Sequence, residues 1–221
     1  MSCKAVLFDL DETLFDRTRS VRAFLADQIR RHESLQFAQA QSVIDRFMEL
    51  DQRGRVPKDR VYAALVPGDR DICEVLLAEY ETDLWQYAHF CAGAEQTLAD
   101  LRRLEAKIGI VTNGKTLIQG ATIRGLSLED RVDTILISEA EGLRKPDPTL
   151  FQRAADRLSV RPSECIFVGD SPEADIGGAK RAGMKAVWFR NGTDWPLGTD
   201  EVADATVTSL EDVLGLYQRW C

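Results

Sequence analysis

The chain has 221 residues, 44% of them hydrophobic and 29% charged, with a formal net charge of −8. That length fits one large domain or a core with a smaller inserted one, and it can bury a core without disulfides or a structural metal. The acidic balance disfavours a strong, sequence-independent grip on nucleic acid or an anionic membrane, since phosphate backbones need a basic face, but leaves room for one local anion pocket.

The first apolar run is Ala5-Val6-Leu7-Phe8. It is continuous rather than alternating, as in a parallel strand buried on both faces. Residues 16–92 then contain no convincing strand. Val21, Phe24, Leu25 and Ile29 share one helical stripe, Phe37, Ala40, Ile44 and Phe47 a second, and Ile72, Val75 and Leu76 a third. Gly54 and Pro57 break the middle of this stretch. A crossover between parallel strands needs only a dozen or so residues. The segment is therefore expected to be a small helical cap at 16–92, inserted into an α/β core formed by 1–15 and 93–221.

Four more buried runs follow: Ile108-Gly109-Ile110-Val111, Thr134-Ile135-Leu136-Ile137, Cys165-Ile166-Phe167-Val168 and Ala186-Val187-Trp188-Phe189. Helical patterns alternate with them. Leu98, Leu101 and Leu104 precede the second strand, and Leu117, Ile118 and Ala121 follow it. Phe151, Ala154, Ala155 and Leu158 precede the fourth; Ala174, Ala179 and Ala182 follow it, with Gly183 as a helix stop. Ser209 to Asp212 opens a last helix. The alternation predicts a doubly wound, Rossmann-like parallel sheet.

Polar residues gather where these strands end. The first runs into Asp9-Leu10-Asp11-Glu12-Thr13, the second into Thr112-Asn113-Gly114, and the fourth into Gly169-Asp170 with Asp175 about a turn into the next helix. Lys145 sits in a loop before a helix, ahead of Pro146. Ligands of such sheets bind at the carboxyl ends of the strands. Two close carboxylates repel, so one holds a proton or both face a cation. A carboxylate cluster with oxygen-only ligands suits Mg²⁺ together with substrate phosphate, and Lys145, Thr112 and Asn113 supply positive charge and donors for phosphate oxygens.

These four segments, in this order, resemble the four motifs of the haloacid dehalogenase superfamily: Asp9-x-Asp11-x-Thr13, then Thr112-Asn113, then Lys145, then Asp170 with Asp175. The resemblance spans residues 4 to about 190, and the helical insertion resembles the cap that many members carry between the first two motifs. It implies a phosphatase in which Asp9 attacks phosphorus, Asp11 serves as acid and then base, and Thr112, Asn113 and Lys145 bind the phosphoryl group. It also implies Mg²⁺ held by Asp9, the main-chain carbonyl of Asp11, Asp170 and Asp175. The implied substrate is a small phosphate ester such as a nucleotide, sugar phosphate or phosphoglycolate-like acid, selected by a cap that closes over the site. Glu12 departs from the pattern, standing where glycine is frequent.

Taken singly, the same residues have plainer readings. Asp9 and Asp11 could be solvated strand-end carboxylates, Thr112-Asn113-Gly114 a turn and helix cap, and Lys145 a surface lysine; Asp175 in a first helical turn has a dipole explanation. Arg17, Arg19 and Arg22 read as solvated helix faces, and His32 and His89 as surface or satisfied histidines. The four tryptophans read as packing or rim residues.

Dehalogenation needs neither a leaving-group acid nor a metal, so Asp11 and the Asp170/Asp175 pair argue against it. A phosphosugar mutase would use the same residues. A receiver-like signalling module would carry its phosphoacceptor after the third strand and has no place for the insertion. Five cysteines without metal-ligand spacing, no secretory leader and no apolar run of about 18 residues lead to an expected cytoplasmic protein with reduced thiols and no membrane segment. Asn191-Gly192-Thr193, though it matches a glycosylation acceptor, then reads as a turn. The sequence sets no oligomeric state.

Overall fold

The computed structural model describes residues 2–192, 194–195 and 203–220. Thr193 of the acceptor pattern and Cys221 lie outside the described residues. The chain divides into two compact units, one of Met1–Asp16 with Phe90–Cys221 and one of Arg17–His89.

Among its described residues the first unit is built on six parallel strands: β1 (Ala5–Phe8), β2 (Lys107–Thr112), β3 (Thr134–Ile137), β4 (Cys165–Gly169), β5 (Lys185–Phe189) and β6 (Ala205–Val207). Their order is β3-β2-β1-β4-β5-β6, the doubly wound order that reverses direction between β1 and β4. In register, Phe8 faces Ile110 of β2 on one side and Val168 of β4 on the other. All four residues of β1 are buried, which is why the run carries no polar alternation.

One face of the sheet packs Leu7, Phe167, Ala186 and Trp188 against Phe151, Ala154 and Ala155 of a helix at Pro148–Arg157. The Phe151 and Phe167 rings meet edge to face at 4.8 Å. Gly183, just past the helix at Gly178–Arg181, takes the expected left-handed conformation.

β6 was not visible as an apolar run. It is a three-residue edge strand of Ala-Thr-Val with a single buried residue, Val207. Asp204 fixes it: its backbone N–H donates to the Ala186 carbonyl at 2.8 Å, and its carboxylate accepts from the Ala186 N–H at 2.8 Å.

The second unit is helical throughout its described residues, with α1 (Arg17–Arg31), α2 (Ala40–Asp51), α3 (Lys58–Leu65) and α4 (Arg70–Asp83) plus two short 3₁₀ turns. Its core centres on Phe24, Phe47, Tyr62 and Tyr80, with Phe47 and Tyr62 rings 5.3 Å apart. The Tyr62 hydroxyl, buried in this core, donates to Gln28 at 2.8 Å, so the polar tip is satisfied.

The first expected stripe, Val21, Phe24, Leu25 and Ile29, is buried, and the other two are drawn differently. Phe37 precedes α2 and is exposed, with Val43 taking its place in the core; Val75 is exposed, while Leu76 and Tyr80 face inward. Arg17 is not a solvated arginine. It is buried, donates to both carboxylate oxygens of Asp51 at 2.8 and 3.2 Å, and reaches the Tyr80 hydroxyl at 3.0 Å. Asp51, with no exposed surface, also takes the Gly54 N–H at 2.8 Å and pairs with Lys58. A guanidinium can be buried at such a place because a bidentate carboxylate satisfies its fork.

Candidate active site

The site lies where the order of strands reverses. Past β1 the Asp9 N–H still donates to the Val168 carbonyl at 2.9 Å, so the carboxylate is held at the edge of the ladder. The chain then folds tightly: the N–H groups of Thr13, Leu14 and Phe15 all point at the Leu10 carbonyl, at 3.2, 3.0 and 2.8 Å. Glu12 adopts φ +60°, the left-handed region in which a glycine carries no Cβ penalty. Its carbonyl accepts from the Asn191 side chain at 2.9 Å. The glycine-to-glutamate departure is thus accommodated in a loop tied down on both sides.

Lys145 is buried and its ammonium bridges two carboxylates, Asp9 at 2.5 Å and Asp175 at 2.7 Å. Asp175 is fully buried in a turn of π-helix over Pro172–Gly177 and also accepts the Ser171 N–H at 2.9 Å. A first-turn dipole role does not describe it; it is a built-in partner of Lys145. Gly169 at the end of β4 permits this, since a Cβ there would sit 2.4 Å from the Asp175 carboxylate. Asp170 follows directly, its main-chain carbonyl accepting from the Trp188 indole at 3.0 Å.

Asp9, Asp170 and Asp175 each offer one carboxylate oxygen, and the three oxygens lie within 4.8 Å of one another. With all three carboxylates ionised and Lys145 protonated, the four side chains sum to −2. Burial pushes the Asp9 carboxyl well above the usual carboxylate range; Lys145 pulls it down, while Asp175 and Asp170 push it further up. For Lys145, burial works against the charged form, but Asp175 and Asp9 outweigh it and its affinity for the proton rises. Hard oxygen donors with a charge sum of −2 fit a divalent cation such as Mg²⁺, whose charge would bring the sum to zero. The Asp11 carboxylate is not in this group. Both histidines are in the helical unit, His32 paired with Glu79 at 2.9 Å and His89 with the Tyr87 carbonyl at 2.6 Å, in keeping with satisfied side chains.

Thr112 ends β2 and is buried. Asn113 is tied to the lysine loop. Its carboxamide nitrogen donates to the Lys145 carbonyl at 3.0 Å and its oxygen accepts the Lys145 N–H at 2.8 Å. It grips the backbone of the lysine loop.

The residue that sequence reasoning missed is Gln119. Its amide nitrogen lies 2.6 Å from Asp11 Oδ2, 2.9 Å from Thr112 Oγ1 and 3.1 Å from the Asn113 carbonyl. It belongs to a helix at Thr116–Gly125 whose buried residues are Gln119, Thr122 and Ile123, whereas the expected stripe member Leu117 is exposed. A buried polar face gives no hydrophobic signal.

A sequence profile described as haloacid dehalogenase-like hydrolase matches residues 3–183, most of the chain. The chain belongs to the haloacid dehalogenase-like hydrolases. Among curated relatives of this family, glyceraldehyde 3-phosphate phosphatase of Pyrococcus furiosus is 30% identical over 226 aligned residues, covering 98% of this chain and 93% of that protein. Among solved structures, a 2-haloacid dehalogenase of Pseudomonas syringae pv. Tomato superposes with a TM-score of 0.66 at 28% identity, over 99% of this chain and all of that one. YfnB, a hydrolase of Bacillus subtilis, superposes with a TM-score of 0.72 at 23% identity, over 98% and 99% of the two chains, a likeness of fold. The chain pairs an α/β sheet carrying acidic strand ends with an inserted helical unit.

Proposed function

We propose that the protein is a phosphomonoesterase acting on a small phosphate ester through an aspartyl-phosphate formed on Asp9. The observation that carries this reading is the buried Asp9–Lys145–Asp175 array with Asp170 beside it. A net charge of −2 suits a dianionic phosphate only when a divalent cation is also present. Asp9, Asp170 and Asp175, with the Asp11 main-chain carbonyl, would hold Mg²⁺, which supplies neutralising charge at the phosphoryl oxygens. A monoanionic haloacid needs no such arrangement, so the dehalogenase reading is the weaker one despite the structural likeness.

The chain's own residues then divide the work. An Asp9 oxygen attacks phosphorus while the bond to the leaving oxygen breaks, and Asp11 gives that oxygen its proton. Ionised Asp11 next takes a proton from water, whose oxygen attacks phosphorus and releases inorganic phosphate and Asp9. Lys145 neutralises the carboxylates and the phosphoryl oxygens, Thr112 donates its hydroxyl to the same group, and Asn113 keeps Lys145 in place.

Among the described residues no helix is long and apolar enough to cross a membrane. Cys73, Cys91 and Cys165 are free cysteines, in no disulfide. A cytoplasmic enzyme is the setting these thiols suit. Glyceraldehyde 3-phosphate, the substrate in the relative's name, heads the panel of small phosphate esters to screen.

The test is hydrolysis of p-nitrophenyl phosphate with and without Mg²⁺. The reading requires activity that chelator removes, that Mg²⁺ restores and that Asp9→Asn lacks. Full activity in Asp9→Asn would contradict it.

A further inference from the structure

We propose that Gln119 is a positioning residue for the acid–base carboxylate, its side-chain amide fixing which oxygen of Asp11 carries the transferred proton. The proposal rests on the phosphatase reading above and adds to it a residue outside the four motifs.

The orientation of the amide follows from its neighbours. The Asn113 carbonyl can only accept, and an ionised Asp11 carboxylate can only accept. The amide nitrogen therefore faces them, at 3.1 and 2.6 Å. Because Oδ2 of Asp11 is occupied as an acceptor, a proton on Asp11 belongs on the other oxygen, Oδ1. One carboxylate oxygen is anchored and the other is left for proton transfer.

The same nitrogen is 2.9 Å from Thr112 Oγ1. Its two hydrogens are already directed at Asp11 and the Asn113 carbonyl, so this contact is a shared one and does not set the direction of the Thr112 hydroxyl.

The protein has made room for this amide. Gln119 is buried on a helix whose neighbouring turn exposes Leu117. Gly114 lies under its side chain: a Cβ at 114 would stand 2.7 Å from Gln119 Cγ and 2.8 Å from its amide nitrogen. A methyl at 114 therefore meets Gln119 first and displaces its amide.

The test is a series of substituted phenyl phosphates of one shape and rising leaving-group pKa, from p-nitrophenyl to p-methoxyphenyl phosphate. kcat/KM is measured in the wild type, Gln119→Met, Gly114→Ala and, as control, Asp9→Asn. A good leaving group departs without a proton, so misplacing the acid affects it little; a poor one needs the proton. In Gln119→Met the p-nitrophenyl ester is expected to lose no more than about 3-fold and the p-methoxyphenyl ester about 30- to 100-fold, within the range that acid catalysis and its positioning supply. Gly114→Ala should steepen the dependence in the same direction. An equal loss across the series in the folded variants would overturn the proposal, because a general packing role lowers every ester alike. An unchanged slope in both variants would overturn it too. Failure of the underlying phosphatase reading is distinguishable, since rates would then survive in Asp9→Asn.

Discussion

Asn113 provides the sharpest test of how this site is assembled. Its carboxamide makes two hydrogen bonds, both to the backbone of Lys145, at 3.0 and 2.8 Å. Asn113→Ala removes both and leaves one N–H and one C=O of a buried residue without their partners. At about 1 kcal/mol net for each bond, the loop loses about 2 kcal/mol of the energy that holds the lysine where it bridges Asp9 and Asp175. If that loss is transmitted to Lys145, kcat falls by about 30-fold.

The decisive feature is non-additivity. Lys145→Met removes the ammonium, whose loss as a transition-state donor should cost on the order of 100- to 1,000-fold in kcat. Once the ammonium is gone, a grip on its backbone has little left to protect. The double variant Asn113→Ala/Lys145→Met should therefore be no more than about 3-fold slower than Lys145→Met alone. The assay is steady-state hydrolysis of p-nitrophenyl phosphate by the four proteins. Multiplicative losses would refute the reasoning and return Asn113 to the direct phosphate contact that its place beside Thr112 first suggests.

Other outcomes follow from the same structure. Asp51→Asn leaves Arg17 and Lys58 facing each other without their shared carboxylate, which should destabilise the helical unit by about 3 kcal/mol, seen as faster amide exchange in α2 and α3. Burial alone would raise the Asp51 carboxyl, but Arg17 and Lys58 outweigh it and hold it below the usual carboxylate range. A group whose folded value is depressed stabilises above its unfolded value and loses that contribution as pH falls through the folded one. The gap between wild type and Asp51→Asn should accordingly close in acid, and a gap constant with pH would count against this account. Gly169→Ala puts a methyl where the Asp175 carboxylate lies, so it should weaken Mg²⁺ activation at least several-fold; titration of activity with the metal checks it, and an unchanged midpoint contradicts it.

Much of this site is legible in the sequence because its chemistry sits where a buried strand gives out. A continuous apolar run has no use for Asp9, Thr112 or Asp170, so each polar residue after such a run marks an exit from the sheet. What resisted reading is what depends on packing between distant segments. Gln119 looks like any helical glutamine, beside Leu117 and Ile118, which suggest a stripe the fold does not use. Arg17 reads as solvated until Asp51, thirty-four positions on, is brought to it. Asn113 carries the right chemistry for phosphate, and its two bonds to the Lys145 backbone depend on a loop thirty-two positions on. β6 escapes because a three-residue edge strand with one buried side chain leaves no periodicity to detect.

The central claim is that Asp9 becomes covalently phosphorylated, and Asp11→Asn offers the most direct view of it. p-Nitrophenolate leaves without a proton, so the variant should still phosphorylate Asp9; without a base to activate water, the acyl phosphate should persist. The measurement is mass spectrometry of the peptide containing Asp9 after brief exposure to p-nitrophenyl phosphate and acid quench, alongside the burst of p-nitrophenolate. The account predicts a burst and a phosphoryl adduct at Asp9. Unimpaired turnover without a burst, or an adduct on any other residue, would contradict it.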